Sequence, residues 1–446
     1  MISRPLDPGE AFFFLSDHVS CMNFVVLAER SGTLETERIR RALDVIQQDN
    51  ALLQTRIEWT EGKGLRFEPA PGEAIELLCH EASADTWHSV IEQELSKPFP
   101  TGSAPLMRCL YLEVQPANAP AELASVPAKS CVLALTFHHS VADGRSGTEI
   151  LRRVLNLMVQ DIAPPASGQP THLPSMAELM PAHYRWVEQP EAAKQLRTTL
   201  ITDYRRHGAM PVMPWLATEA VGREPRLVRL QLDADTSQAL IDQARANSST
   251  VHGALCAAQL LAQYRLQQTD QPNAFFLSCP VDLRLYLEGE PPASPTGFFT
   301  SLISGTFQTG PETDPWGLAR EVITQTRLQI ARGEGHLLYH LYGLDGSPVP
   351  PQAMEPFRKK ALASLPNTMI SNIGRVDPVA DDPAVHAISF ALCPMPYQTL
   401  FTAASSYNGR LFLNVGYDAE RLTEATAQAL VQGIHEVLLT MSQNTR

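Results

Sequence analysis

The segment Phe137-His138-His139-Ser140-Val141-Ala142-Asp143-Gly144 sets two imidazoles and a carboxylate at the end of an apolar run, before a helical pattern begins. At such junctions a rigid strand presents functional side chains to a cleft. Successive side chains of a strand point to opposite faces, so one histidine of the pair can face a cleft while the other packs behind it. An imidazole so placed can take a proton from an attacking hydroxyl or amine, provided it is held within reach. Asp143, four residues after His139, can pin such a loop, and as a buried carboxylate it calls for a cationic partner. Gly144 supplies the backbone freedom that a sharp turn requires. Residue type alone leaves two readings open: a general-base site, or a histidine pair satisfied in the core or at the surface. No metal centre is indicated, because adjacent histidines diverge and no third ligand stands at a recognisable spacing.

Hydrophobic periodicity outlines the elements that must position this segment. The first half reads as strands at Met22 to Ala28, Leu65 to Glu68, Leu106 to Val114 and Cys131 to Phe137, with helices at Leu34 to Asp49 and Thr148 to Val159. In the first helix Leu34, Ile39, Leu43 and Ile46 share the face that would pack on a sheet. Pro164, Pro165, Pro170 and Pro174 then mark a linker. The second half repeats the alternation, with strands at Leu227 to Leu232, Ala274 to Val281, Gly297 to Phe307, Thr368 to Ser371, Ala387 to Leu392 and Thr399 to Ser405. Helices are expected at Thr236 to Asn247, His252 to Gln267, Trp316 to Arg332 and Glu424 to Met441, and Asn408-Gly409 is a type I′ hairpin signal. The expected architecture is α/β, with a lobe over residues 1–160, a linker over 161–178 and a second lobe over 179–446, each lobe a mixed sheet with packed helices.

Composition narrows the function. A chain of 446 residues exceeds the size at which single cores stop growing, and 44% hydrophobic with 19% charged residues is the balance of a globular protein. A formal net charge of -13 argues against nucleic acid, whose phosphates call for a basic surface. The absence of a long apolar stretch and of a basic-then-apolar leader leads to the expectation of a cytoplasmic protein without a transmembrane segment. The seven cysteines include no Cys-x-x-Cys pair and read as small buried hydrophobes in a reducing compartment.

His138-His139-Ser140-Val141-Ala142-Asp143-Gly144 resembles the His-His-x-x-x-Asp-Gly motif of the condensation-domain and chloramphenicol-acetyltransferase-like superfamily. Leu6-Asp7-Pro8-Gly9-Glu10, Cys279-Pro280-Val281-Asp282-Leu283-Arg284 and Asn372-Ile373-Gly374-Arg375 are similar to segments of the stand-alone polyketide-associated acyltransferases of mycobacteria, the phthiocerol dimycocerosyl transferase type. The resemblance implies two similar chloramphenicol-acetyltransferase-like lobes, an active-site tunnel between them, and access from opposite faces for donor and acceptor. It implies His139 as the general base, supported by His138, with Asp143 a structural carboxylate whose partner is Arg284, or Arg375 as second candidate. Gly144 lies where its N–H could stabilise an oxyanion. The implied reaction is direct acyl transfer from coenzyme A or an acyl carrier protein to an alcohol or amine. Because a thioester is already activated, no metal or redox cofactor is expected, and a monomer suffices. The Asp-Phe-Gly-Trp-Gly segment of plant-type relatives is absent.

Competing readings are a free-standing condensation domain joining carrier-bound substrates, a wax-ester or triacylglycerol synthase, and a non-catalytic scaffold of the same fold. His336 and His340 lack the glutamate that a zinc-protease helix carries between its histidines. Arg358-Lys359-Lys360 reads as a solvated helix face or a docking point for phosphates or an acidic carrier, and Pro291, Pro292 and Pro295 as a loop bordering the acceptor channel or a plain connector.

Overall fold

The computed structural model describes residues 3–443, apart from 71, 104, 116–128, 160–173, 186–188, 207–215, 217–223, 289–296, 341–348, 365, 380 and 381. The proline-marked linker and the Pro291 to Pro295 loop therefore lie largely outside the described residues. Eleven strands form two large mixed sheets: β1 Asn23–Ser31, β2 Glu76–Ser83, β3 Met107–Gln115, β4 Ser130–His138, β5 Pro225–Leu232, β6 Asn273–Asp282, β7 Thr300–Thr309, β8 Asn367–Arg375, β9 Val385–Leu392, β10 Gln398–Tyr407 and β11 Arg410–Asp418. The first sheet runs β9-β1-β4-β3-β2 and the second β7-β6-β8-β10-β11-β5. A small third sheet joins Arg4–Pro5, Gly64–Pro69 and Thr55–Thr60.

The helices that matter for the site are α1 Pro8–Asp17, α2 Gly144–Val159, α3 Pro190–Arg206, α4 Val251–Leu266 and α5 Met354–Leu362. The strand at Asn23–Ser31 reads as a continuous apolar run because both faces are covered: Phe24, Val26 and Ala28 enter the main core, while Val25 and Leu27 pack under the helix Trp87–Ser96. In the same way α4 is buried on every side, which is why it shows little amphipathic pattern. Asn408 and Gly409 both take positive φ, 48° and 76°, between β10 and β11, as the hairpin signal requires.

Two expectations are corrected. The strand Val385–Leu392, counted to the second lobe, completes the first sheet, pairing antiparallel with β1 from Val385–Arg30 to Leu392–Phe24. Strand periodicity carries no information about which sheet a strand joins. The expected strand from Gly297 begins instead at Thr300, because Gly297 to Phe299 run out of the ladder to meet the loop after β4.

The crossing strand makes a tight seam between the lobes. Ser405 Oγ and Asn414 Nδ2, from β10 and β11, donate to the carbonyls of Ile388 and Phe390 at 3.0 and 2.8 Å. A Cβ on Gly416 would stand 2.4 Å from the Leu392 carbonyl oxygen, a contact only glycine permits. Gly416→Val is therefore expected to lower stability by about 2–3 kcal/mol in urea unfolding, because backbone and not a flexible side chain must yield; an unchanged midpoint would contradict the closeness of the seam.

Candidate active site

The loop after β4 is fixed from three directions. Ser140 Oγ donates to the Glu10 carbonyl at 2.7 Å, tying the loop to α1. The start of α1 is itself locked by a capping box, Asp7 accepting from Glu10 N and the Glu10 carboxylate from Asp7 N, both at 2.9 Å. Arg4 closes on Glu10 with two bonds of 2.7 Å. The Leu6 to Glu10 motif is thus a helix start, and what it positions is Phe12 and Phe13. From the second lobe, Gly297 O accepts the Asp143 N–H at 3.2 Å and the Ser146 hydroxyl at 2.9 Å.

The third tether is the buried Asp143 carboxylate. Arg284 Nη2 reaches its two oxygens at 3.1 and 2.9 Å, and the N–H groups of Ser146 and Phe299 donate at 2.9 Å each. Burial alone would raise this carboxyl; Arg284 and the two N–H donors outweigh it and hold Asp143 below the usual carboxylate range. Arg284 also bonds Asp282 at 2.9 Å and Ser146 Oγ at 2.7 Å, and Asp282 takes Arg145 at 2.7 Å, so the pairing extends into a network that joins the lobes. Asp143 also caps α2 through the Ser146 N–H, so this helix begins at Gly144, four residues before the expected Thr148. The Arg-Ser-Gly start carries no apolar period to reveal it.

Of the two arginine candidates, only Arg284 reaches Asp143. At Gly374 β8 departs from its ladder with φ +77°, and this turns Asn372, Ile373 and Gly374 to the cavity and Arg375 to solvent, where it is 84% exposed and 3.7 Å from Asp377.

His139 lines a cavity of about 350 Å³ between the sheets, with α1, β6, β7, β8, β9 and β10 all contributing to its wall. Its Nδ1 lies 3.0 Å from the Ala142 carbonyl, so Nδ1 carries the hydrogen and Nε2 keeps its lone pair. Phe13 stacks on the ring at 3.9 Å, with Phe24 and Phe298 at 4.8 and 5.7 Å. Burial pushes the imidazole down to about 4, more than the nearby Asp143 raises it, so His139 is neutral near pH 7. His138 turns away to the core between Phe14 and Phe99, its Nδ1 accepting from Ser140 N at 3.2 Å, and burial brings it also to about 4.

The N–H groups of Gly144 and Arg145, at the N-terminus of α2, have no acceptor among the described residues, and both residues line the cavity. The expected need for glycine's backbone freedom is not met at Gly144, which begins α2 without a positive φ, and a Cβ there would make ordinary contact with Ile373 at 3.4 Å and Phe390 at 3.6 Å. Asn372 spends its side-chain carbonyl on Gly374 N at 2.9 Å, leaving its amide as a polar donor in a mostly apolar wall. Phe13 and Phe298 were not singled out by the sequence, and Asn372 was quoted only as the start of the Asn372 to Arg375 segment, without a role; an Asp-Pro-x-Glu capping box followed by three phenylalanines was the available signal for Phe13.

A second cavity of about 510 Å³ shares Phe12, Leu302 and Tyr397 with the first. Arg197, Arg205 and Lys360 line it and no carboxylate does. Of the basic triplet only Lys360 faces it, while Arg358 and Lys359 pair with Glu355. His336 is spent on the Tyr286 carbonyl at 3.1 Å and on stacking with Tyr184, and the His340 side chain lies outside the described residues.

Two mixed sheets flanking one cavity are the fold that solved condensation domains and a trichothecene acetyltransferase also adopt. Residues 222–412 match the family described as phthiocerol/phthiodiolone dimycocerosyl transferase C-terminus. A phthiocerol/phthiodiolone dimycocerosyl transferase of Mycobacterium tuberculosis is 27% identical over 213 residues, 45% of this chain and 48% of its own, so the match spans about half the length of that curated relative. The first condensation domain of the CDA synthetase superposes with a TM-score of 0.73 at 14% identity, over 99% of this chain and 97% of its own. Trichothecene 15-O-acetyltransferase from Fusarium sporotrichioides does so with 0.71 at 14% identity, over 98% and 95%. No helix among the described residues is long and apolar enough to cross a membrane.

Removing Arg284 leaves a buried charge without its counterion. Arg284→Ala is expected to cost about 3–5 kcal/mol in urea unfolding. Stability within about 1 kcal/mol of wild type would mean that the backbone N–H groups satisfy Asp143 unaided.

Proposed function

We propose that this chain is an acyltransferase that moves an acyl group from a pantetheine thioester, carried by coenzyme A or an acyl carrier protein, to a hydroxyl or amine within the interlobe cavity. The observation that carries this reading is His139: a neutral imidazole whose Nδ1–H is committed to Ala142, leaving the Nε2 lone pair in an apolar chamber beside a helix N-terminus. Nε2 accepts the proton of the acceptor as its oxygen or nitrogen bonds to the thioester carbonyl carbon. The negative charge then on the carbonyl oxygen falls to the N–H groups of Gly144 and Arg145 and to the Asn372 amide. Collapse breaks the carbon–sulfur bond, and the departing thiolate takes back the proton held on His139. Every atom is accounted for without a covalent enzyme intermediate, a metal or a redox group.

The apolar wall supports this division of labour, since water in the cavity would compete with the acceptor for the thioester. The second cavity is the donor side in this reading: Arg197, Arg205 and Lys360 offer cations to the phosphates at the far end of a pantetheine arm, whose apolar stem passes Phe12, Leu302 and Tyr397. One chain supplies every wall, so a monomer is a sufficient functional unit.

The test is free-thiol release from a panel of acyl-coenzyme A thioesters with pooled alcohols and amines, with products identified by mass. His139→Ala is expected to lower the rate by about 10²–10⁴ while the protein stays folded. Because His139 is uncharged down to about pH 4, the wild-type rate should show no acid limb from this group between pH 7 and 5. Full activity in the variant would remove the base; activity only with acylated carrier protein would assign the donor to a carrier. Arg197→Glu with Lys360→Glu should raise KM for coenzyme A thioesters about tenfold and leave kcat unchanged; equal KM values would move the donor to another face.

A further inference from the structure

Behind the cavity wall lies a side-chain cluster that acyl transfer does not use. Strand β6 alternates, so that Phe276, Ser278 and Pro280 line the cavities, while Cys279 turns to the other face and packs on α4. There its Sγ lies 3.9 Å from Cys256 Sγ, and His252 Nε2 lies 3.6 Å from Cys256 Sγ. His252 and Cys256 are one turn apart on α4 and so share a face. All three ligand atoms lie within 4.8 Å of one another. The other ring nitrogen, His252 Nδ1, is buried with no protein partner among the described residues.

These separations fit one chemistry better than its rival. A tetrahedral zinc ion with sulfur at about 2.3 Å and imidazole nitrogen at about 2.0 Å sets its ligands about 3.8 Å apart for two sulfurs and about 3.5 Å apart for sulfur and nitrogen. The two edges at Cys256, 3.9 and 3.6 Å, match, and the third, between His252 and Cys279, lies within 4.8 Å. A disulfide needs the sulfurs at about 2.05 Å and has no use for the imidazole. We propose that His252, Cys256 and Cys279 bind zinc through three protein ligands, with the fourth position left to solvent, and that the ion braces β6 against α4.

Two features favour metal capture. Two cysteine sulfurs and an imidazole nitrogen are the ligand types that zinc takes. His252 is the partly exposed member, so an ion has a way in from solvent. Binding releases both thiol protons to solvent, together with any proton on His252 Nε2, and involves no change of oxidation state. The site acts on the wall of the cavity and not on the reaction, because β6 ends at Asp282, next to the Arg284 anchor.

Cobalt(II) reports on such a site directly. The full chain, reduced, stripped with chelator and titrated anaerobically, is expected to take up one equivalent, with a thiolate-to-cobalt charge-transfer band that zinc(II) abolishes. Cys256→Ser and Cys279→Ser should each lose the band, and Cys79→Ser, at an exposed cysteine elsewhere, should keep it. His252→Gln, partly exposed at the start of α4, keeps the fold even if the core variants do not, and should weaken binding at least about 100-fold. Zinc should raise the Tm of wild type and not that of His252→Gln. Absence of the band, a band indifferent to all three ligand changes, or a purified chain in which Cys256 and Cys279 are joined as a disulfide in place of a bound metal would overturn the assignment.

Discussion

The buried pairing of Asp143 with Arg284 is the constraint on which the rest of the site depends. A carboxylate taken out of water is costly unless a cation and several donors meet it, and Asp143 draws them from both lobes: Ser146 from the first, Phe299 and Arg284 from the second. The charge therefore makes the lobes obligatory neighbours. It starts α2 at Gly144, brings the Ala142 carbonyl to the Nδ1 edge of His139, and fixes where the cavity lies. The crossing strand β9 secures the same relation from the other side through Gly416 and Asn414.

The environment of His139 balances two opposing effects. Phe13, Phe24 and Phe298 remove water, which depresses the basicity of the imidazole and keeps it unprotonated. Asp143 works weakly in the opposite sense, and Ala142 orients the ring. In the proposed reaction a weak but always available base is matched to a substrate that is already activated, and the cost of an imidazolium in this setting favours rapid return of its proton to the leaving thiolate.

Much of this was legible in the sequence, because the motif residues answer to local rules. The alternation that separates His138 from His139 is a property of any strand, and the Asn408-Gly409 turn has few conformations open to it. Asp143 announced its need for a cation, and of the two arginines offered the fold brings only Arg284 to it, since the left-handed Gly374 turns Arg375 outward. Long-range choices were not legible. Nothing in Val385–Leu392 says which sheet it completes, and the His252, Cys256 and Cys279 cluster is split between a helix and a strand, so no spacing in the chain points to it. The aromatic wall from α1 was hidden for another reason: a short, largely buried helix rich in phenylalanine has little polar face to mark its period.

The central claim is that His139 is a neutral imidazole with its proton on Nδ1 and its lone pair on Nε2. Nitrogen-15 NMR of the histidine-labelled chain, with His139 assigned by substitution, tests it most directly. The account predicts the neutral Nδ1–H tautomer at pH 7, with protonation only as the pH approaches about 4. An imidazolium at pH 7, or a neutral ring protonated at Nε2, would contradict it.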